Sequence, residues 1–284
     1  MEPGLYRNKE LILSWDDLHI DDVFDECSSK YNDLETILEN CGAMSTDTLV
    51  LTKNIESIPS NTFMDIALDT VIVQNGTRKI RSDAFSDSEI KHIILPISLE
   101  VIGYASFADC KALEEIIIPE KIKAIPKSCF ANCLNLKEIE LPKNLEIIDF
   151  GAFSYCYSLE KIDIPKNVFR IGANAFKGCK KLEKIILPES LERLEIFAFN
   201  GCNINTFTIP KNIMFLDDFV DDKNIDVVMC KKTIENLKCI ATDNFLESKN
   251  KNIINKEITL DELLDEGKSF REIIAIYKDI EELI

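Results

Sequence analysis

Leu145-Glu146-Ile147-Ile148-Asp149-Phe150-Gly151-Ala152-Phe153-Ser154-Tyr155-Cys156-Tyr157-Ser158-Leu159-Glu160-Lys161-Ile162-Asp163-Ile164-Pro165 is one turn of a repeating chain, and its pattern returns from Val168 to Pro188. Five cysteines, Cys110, Cys133, Cys156, Cys179 and Cys202, recur every 23 residues, each three residues after a phenylalanine (Phe107, Phe130, Phe153, Phe176 and Phe199). Going toward the N-terminus, Phe85 and Phe63 keep the rhythm but carry Ser88 and Ile66 where the cysteine would stand. An aliphatic residue precedes each phenylalanine by five positions, from Ile58 and Ile80 to Ile171 and Leu194. Self-similarity at a fixed period of this length specifies a solenoid.

The pattern also specifies what each coil does. Apolar residues alternate with variable ones over Leu136-Lys137-Glu138-Ile139-Glu140-Leu141, the signature of a half-buried strand. Pro142 closes that strand, because proline cannot donate to a sheet. Leu145–Ile148 then crosses to the opposite wall, Phe153 fills the interior, and Cys156 and Leu159 line the turn back. One coil cannot bury these residues alone, whereas stacked coils bury them against each other. About eight parallel strands at a spacing of ~4.8 Å predict an array roughly 35–40 Å long.

The consensus Leu-x-x-Ile-x-x-x-Ala-Phe-x-x-Cys-x-x-Leu-x-x-Ile-x-Ile-Pro resembles the BspA-type (Treponema pallidum-type) leucine-rich repeat over roughly residues 47–216. The resemblance implies a protein-binding solenoid, a role often exercised on cell surfaces. The expected fold class is accordingly α/β: a leucine-rich-repeat solenoid with stacked parallel strands, an N-terminal cap and a C-terminal helical extension.

Four segments are expected. Residues 1–46 read as a cap: a hairpin turning at Asn8-Lys9, a helix capped by Ser14 and Asp17, and a helical apolar face at Leu34, Ile37, Leu38 and Cys41. Residues 47–216 are the solenoid. Residues 217–246 read as a degenerate last coil, with a strand at Val227–Met229 and a short helix near 233–238. Residues 247–284 read as a polar linker followed by two helices, 260–266 and 270–283. Phe270, Ile273, Ile274, Tyr277, Ile280 and Ile284 form a stripe on the second, suited to docking or self-association.

The net charge of −17 resides at the ends: −8 over residues 1–46, −7 over 217–284 and only −2 over the repeats. A phosphate backbone would be repelled by both ends and unattracted by the middle, so nucleic acid is not an expected partner. No 18-residue apolar run occurs and the N-terminus lacks the pattern of a signal peptide, so the sequence reads as cytoplasmic, with no membrane partner. A cysteine recurring once per coil points to the same interior place each time, and buried free cysteine behaves as a small hydrophobe. The ten cysteines therefore do not read as a disulfide scaffold, and a reducing compartment fits them.

Little points to catalysis. His19 and His92 are the only histidines, no Cys-x-x-Cys pair exists, and no glycine-rich phosphate loop appears. No metal, cofactor or catalytic residue is expected. The informative place is the outward face of the strands, which forms two columns. One runs Thr70, His92, Glu115, Glu138, Lys161, Lys184 and Thr206; the other runs Val50, Ile72, Ile94, Ile117, Glu140, Asp163, Ile186 and Thr208. Four consecutive β-branched apolar residues open the second column, and an apolar strip with a charged rim suits a protein partner. The expected function is a non-catalytic interaction scaffold or inhibitor. A surface or secreted adhesin is the alternative, and an enzyme with an acidic site at a cap junction the third.

Overall fold

The computed structural model describes residues 1–18, Leu38, Met44, residues 47–216 and residues 226–229. The periodic strands are where the alternation places them: Thr48–Val50, Thr70–Ile72, His92–Ile94, Glu115–Ile117 and Glu138–Glu140 pair in parallel, each with its neighbour one coil away. Gly4–Arg7 and Glu10–Ser14 form the expected hairpin and extend this sheet antiparallel to the first coil, giving seven strands. The turn is possible because Asn8 and Lys9 both take positive φ (51° and 69°), as a two-residue hairpin loop requires.

A second wall is built from strands of two residues, each but the last ending five positions before a phenylalanine. Ser57–Ile58, Lys79–Ile80 and Val101–Ile102 form one stack; Ala124–Ile125, Ile147–Ile148, Arg170–Ile171, Arg193–Leu194 and Phe215–Leu216 form the next. Thr206–Ile209 pairs in parallel with Asp226–Met229, so the last strand expected near Val227 is present.

Between the walls lies a column of rings. Phe63, Phe85, Phe107, Phe130, Phe153, Phe176 and Phe199 stack with centroids 4.6–5.5 Å apart and planes within 12° of parallel. Phe207 lies next to Phe199, its ring tilted by 43° against it. All are essentially fully buried. Each ring contributes about 1.5–3 kcal/mol by leaving water, and each stacked pair about 0.5–1.5 kcal/mol more.

The periodic cysteines are more than small hydrophobes. Each thiol donates to the carbonyl of the phenylalanine one coil earlier: Cys110 to Phe85 (2.9 Å), Cys133 to Phe107 (3.0 Å), Cys156 to Phe130 (3.1 Å), Cys179 to Phe153 (3.2 Å) and Cys202 to Phe176 (3.1 Å). The six described cysteines are unpaired. Burial pushes the thiols of Cys129, Cys133, Cys156 and Cys179 well above the ordinary range, which keeps them protonated as donors and unreactive as nucleophiles.

The α part of the expected class is corrected. Among the described residues the one helical element is Trp15–Leu18, apart from the helical backbone of the buried Leu38. The arm opposite the sheet carries strands and turns, making this a β-solenoid. The reason is local: two residues flanking each phenylalanine, at −2 and +2, hold positive φ, as in Asn61 and Asp65, Asp83 and Asp87, and Ser128 and Asn132. A left-handed residue every few positions prevents an α-helix from propagating. Coils also approach closely here: a Cβ on Gly172 would lie 2.7 Å from the Phe150 amide nitrogen of the preceding coil. The helical face at Leu34, Ile37 and Cys41, the short helix near 233–238 and the helices at 260–266 and 270–283 lie outside the described residues.

Cys156→Ala removes a donor and leaves a small void. It is expected to cost about 1–2 kcal/mol, read as a thermal midpoint lower by about 2–8 °C. Peptide mapping after iodoacetamide treatment of the native protein should find Cys133 and Cys156 unmodified. Labelling as fast as in denaturant would contradict the buried-donor assignment.

Candidate interaction face

The outward side chains of the strands make the face singled out by the sequence, with one exception at its start. Val50 is 1% exposed. The antiparallel pairing of Gly4 with Val50 lays the hairpin over the first coil, so the strip does not begin there. Periodicity could not show this, because the hairpin lies outside the repeat.

From the second coil onward the columns emerge. Thr70 and Ile72 are half-buried. Ile94 and Ile117 are 55% and 66% exposed, and Ile186 is 73% exposed. His92, Glu115, Glu138, Glu140, Lys161, Asp163, Lys184 and Thr208 are exposed, and the side chain of Thr206 lies outside the described ones. Register brings Thr70 beside His92, Ile72 beside Ile94, His92 beside Glu115, Glu115 beside Glu138, and Ile117 beside Glu140. The ladder then thins. Glu138 and Lys161 share a single bridge, and Lys184–Ile186 takes no strand pairing among the described residues. Coil stacking there is carried by the second wall and the ring column, both of which continue to Leu194 and Phe199.

Charges on the flank of the solenoid are matched from one coil to the next. Glu114 pairs with Lys137 (2.6 Å), Glu160 with Lys181 (2.9 Å), Glu146 with Lys123 (2.8 Å), and Glu100 with both Arg78 (2.9 Å) and Lys121 (3.0 Å). On the strand face only Lys161 and Asp163 close an ion pair (2.9 Å), within one coil. Glu115, Glu138, Glu140 and Lys184 close none among the described residues.

The aromatic patches escaped the sequence reading. Tyr104 and Phe150 are exposed with Lys127 between them, its ammonium 5.9 and 5.1 Å from their rings. Tyr155 and Tyr157 carry Lys177 and Lys180 at 6.0 and 4.5 Å. The available signal was the position three before each phenylalanine, which reads Tyr104, Lys127 and Phe150 in successive coils. Gly178, at φ +76°, makes room for Tyr155: a Cβ there would lie 2.8 Å from its ring.

The N-terminal cap junction holds the buried carboxylate that an acidic site would need, but its environment is that of an anchor. Asp47 is fully buried and accepts from Arg7 Nε (2.9 Å), Arg7 Nη2 (2.8 Å) and the Met44 amide (2.9 Å). Burial pushes its carboxyl up, yet the Arg7 guanidinium and the Met44 amide outweigh that and hold it below the ordinary value. Among the described residues, no group of three or more His, Cys, Asp or Glu side chains could hold a metal ion. No helix among them is long and apolar enough to cross a membrane.

Stacked parallel coils with an inward ring column and an outward strand face define a leucine-rich-repeat solenoid. The chain belongs to the BspA-type family: the family described as "BspA type Leucine rich repeat region" matches in six copies over residues 35–160 and 146–263. Among solved structures, a leucine-rich repeat protein from Bacteroides ovatus is similar with a TM-score of 0.54 at 23% identity, over 66% of this chain and 52% of that one. The chain thus spans about half the length of that protein. The T. pallidum leucine-rich repeat protein aligns at 22% identity and a TM-score of 0.41, over 71% of this chain and 84% of that one. The pneumococcal vaccine antigen PcpA aligns at 20% identity and a TM-score of 0.29, over 66% and 69% of the two chains. No curated protein sequence matches the chain.

The anchor gives a pH prediction. A carboxyl depressed in the folded state supplies stability that is complete above its unfolded pKa of about 3.9 and is lost as pH falls through the folded value. Acidification below about pH 4 should therefore loosen the hairpin before the repeats. Trp15, the single tryptophan, is buried beside it and reports the change as a red-shifted emission. Asp47→Asn should show that shift already at neutral pH, with about 1–3 kcal/mol of stability lost. An unshifted Asp47→Asn spectrum would reject the anchor role.

Proposed function

We propose that the protein is a non-catalytic interaction module that holds a protein partner on its strand face. The observation that carries this reading is the pair Ile94 and Ile117, more than half exposed in neighbouring coils of one sheet and rimmed by His92, Glu115, Glu138 and Glu140. Solvated apolar side chains in register form a contiguous strip that water covers at a cost, and a polar rim around such a strip is the anatomy of an interface. The repeats supply rigidity: every position on the face is fixed by a buried residue beside it, such as Ile93 next to Ile94 and Ile116 next to Ile117. A rigid face binds with little ordering cost.

A reducing, intracellular setting is part of the proposal. Unpaired, protonated cysteines in the core support it. Fractionation of the native cell that finds the protein on the surface or outside would replace this setting with the adhesin-like one.

Ile94→Asp with Ile117→Asp is expected to abolish partner recovery in affinity purification while leaving the thermal midpoint within about 2 °C, since both side chains face solvent. Undiminished recovery by the double variant would reject the face.

A further inference from the structure

The strand face is electrically segregated along its length, and the segregation describes the partner. On the flank, Glu114, Glu160, Glu146 and Glu100 each find a cation one coil away. On the face, Glu115 lies directly beside Glu138 in parallel register, and Glu140 follows two residues on. Like charges in register are unfavourable, and none of the three closes an ion pair among the described residues, although Lys161 stands in register beside Glu138. The cations that could have done so point elsewhere: Lys137 precedes Glu138 but turns to Glu114 (2.6 Å). At the far end the sign reverses. Lys161 is neutralised by Asp163, whereas Lys184 stands exposed beside Ile186 without an ion pair.

Two apolar footholds accompany the two charge zones. Ile94 and Ile117 sit with the carboxylates, and Ile186 sits with Lys184, three coils beyond Ile117. The rings of Phe130, Phe153, Phe176 and Phe199 stay 5.2–5.5 Å apart, so stacking is continuous and the separation is about 14–16 Å. In an extended polypeptide, side chains four residues apart share a face and lie about 13 Å apart.

Resting on the strand face as the binding face, we infer that its partner is an extended, charge-segregated polypeptide segment lying along the direction of coil stacking. Its cationic half covers Glu115, Glu138 and Glu140 with an apolar side chain on Ile94 and Ile117. Its anionic half approaches Lys184 with a second apolar side chain on Ile186. A uniformly anionic polymer would be repelled by the three carboxylates, and a uniformly cationic one would leave Lys184 without a partner. The ends of a second copy carry −8 and −7 overall, the wrong sign for these carboxylates.

The test uses the full chain and a displayed library of random twelve-residue peptides, with selection on the protein and counter-selection on the Ile94→Asp/Ile117→Asp variant. Ile94→Thr/Ile117→Thr serves if the aspartates disturb folding. Enriched peptides should carry Lys or Arg in one half, Asp or Glu in the other, and two apolar residues about four positions apart. For the best synthetic peptide, Glu115→Gln/Glu138→Gln and Lys184→Gln should each weaken binding about 2–5-fold per neutralised charge, whereas Glu146→Gln on the flank should leave it unchanged. Face-dependent peptides without charge segregation, or indifferent to both sets of substitutions, would overturn the polarity and leave the face standing. Enrichment of no peptide that depends on Ile94 and Ile117 would overturn both.

Discussion

The structure depends on one constraint: no coil can close its own interior, so each must present the same side chains to its neighbour at the same height. The ring column shows how the constraint is met. Rings 4.6–5.5 Å apart match the spacing of strands in a sheet, so one aromatic per coil fills the interior without forcing the walls apart. A smaller residue would leave a void repeated along the axis. Thiol donors tie each coil to the phenylalanine carbonyl of the one before, so the apolar column and the polar backbone satisfy each other through the same pair of positions.

This interior rigidity is what allows the outside to vary. Buried Ile116, Ile139 and Ile162 are held in place by their neighbours, and the residues flanking each of them on its strand face outward. Charge, shape and exposed apolar surface can then be set coil by coil. The flank uses that freedom to form ion pairs one coil apart, whereas Glu115, Glu138 and Glu140 on the strand face form none among the described residues. Surface pairs of this kind add little stability each. Their importance is the contrast they create with Glu115, Glu138 and Glu140, which close no ion pair among the described residues.

The parts of the fold legible in the sequence were those the period repeats. Phe153, Cys156, Ile162 and Pro165 recur, so their inward places and the parallel stacking followed from spacing alone. The hairpin at Asn8-Lys9 was legible for a different reason, the chemistry of a two-residue turn. The expected α component failed although its contrary signal was present: Asn61, Asp65, Asp83, Asp87, Asn132 and Asn174 occupy the two left-handed positions around successive phenylalanines, and asparagine and aspartate tolerate that backbone. Ala105, Ser128, Tyr155 and Phe197 at the same positions hid the pattern. Val50 was misplaced because its cover, the hairpin, comes from a distant part of the chain and reverses strand direction. The exposure of Ile94, Ile117 and Ile186 was legible from alternation, whereas the lack of ion pairs beside them needed three dimensions.

The hairpin has a wider consequence. Parallel coils offer a strand edge on which another copy of the same unit could be laid, but Gly4–Arg7 runs antiparallel to Thr48–Val50 and breaks the pattern at that end. Lengthening by adding coils at the N-terminus would first require removing this reversal. A coil added or removed inside the array would meet seams of the same kind as those already there. The number of coils, and with it the span of the outer face, is thereby a heritable variable that can change in whole steps while the termini stay the same.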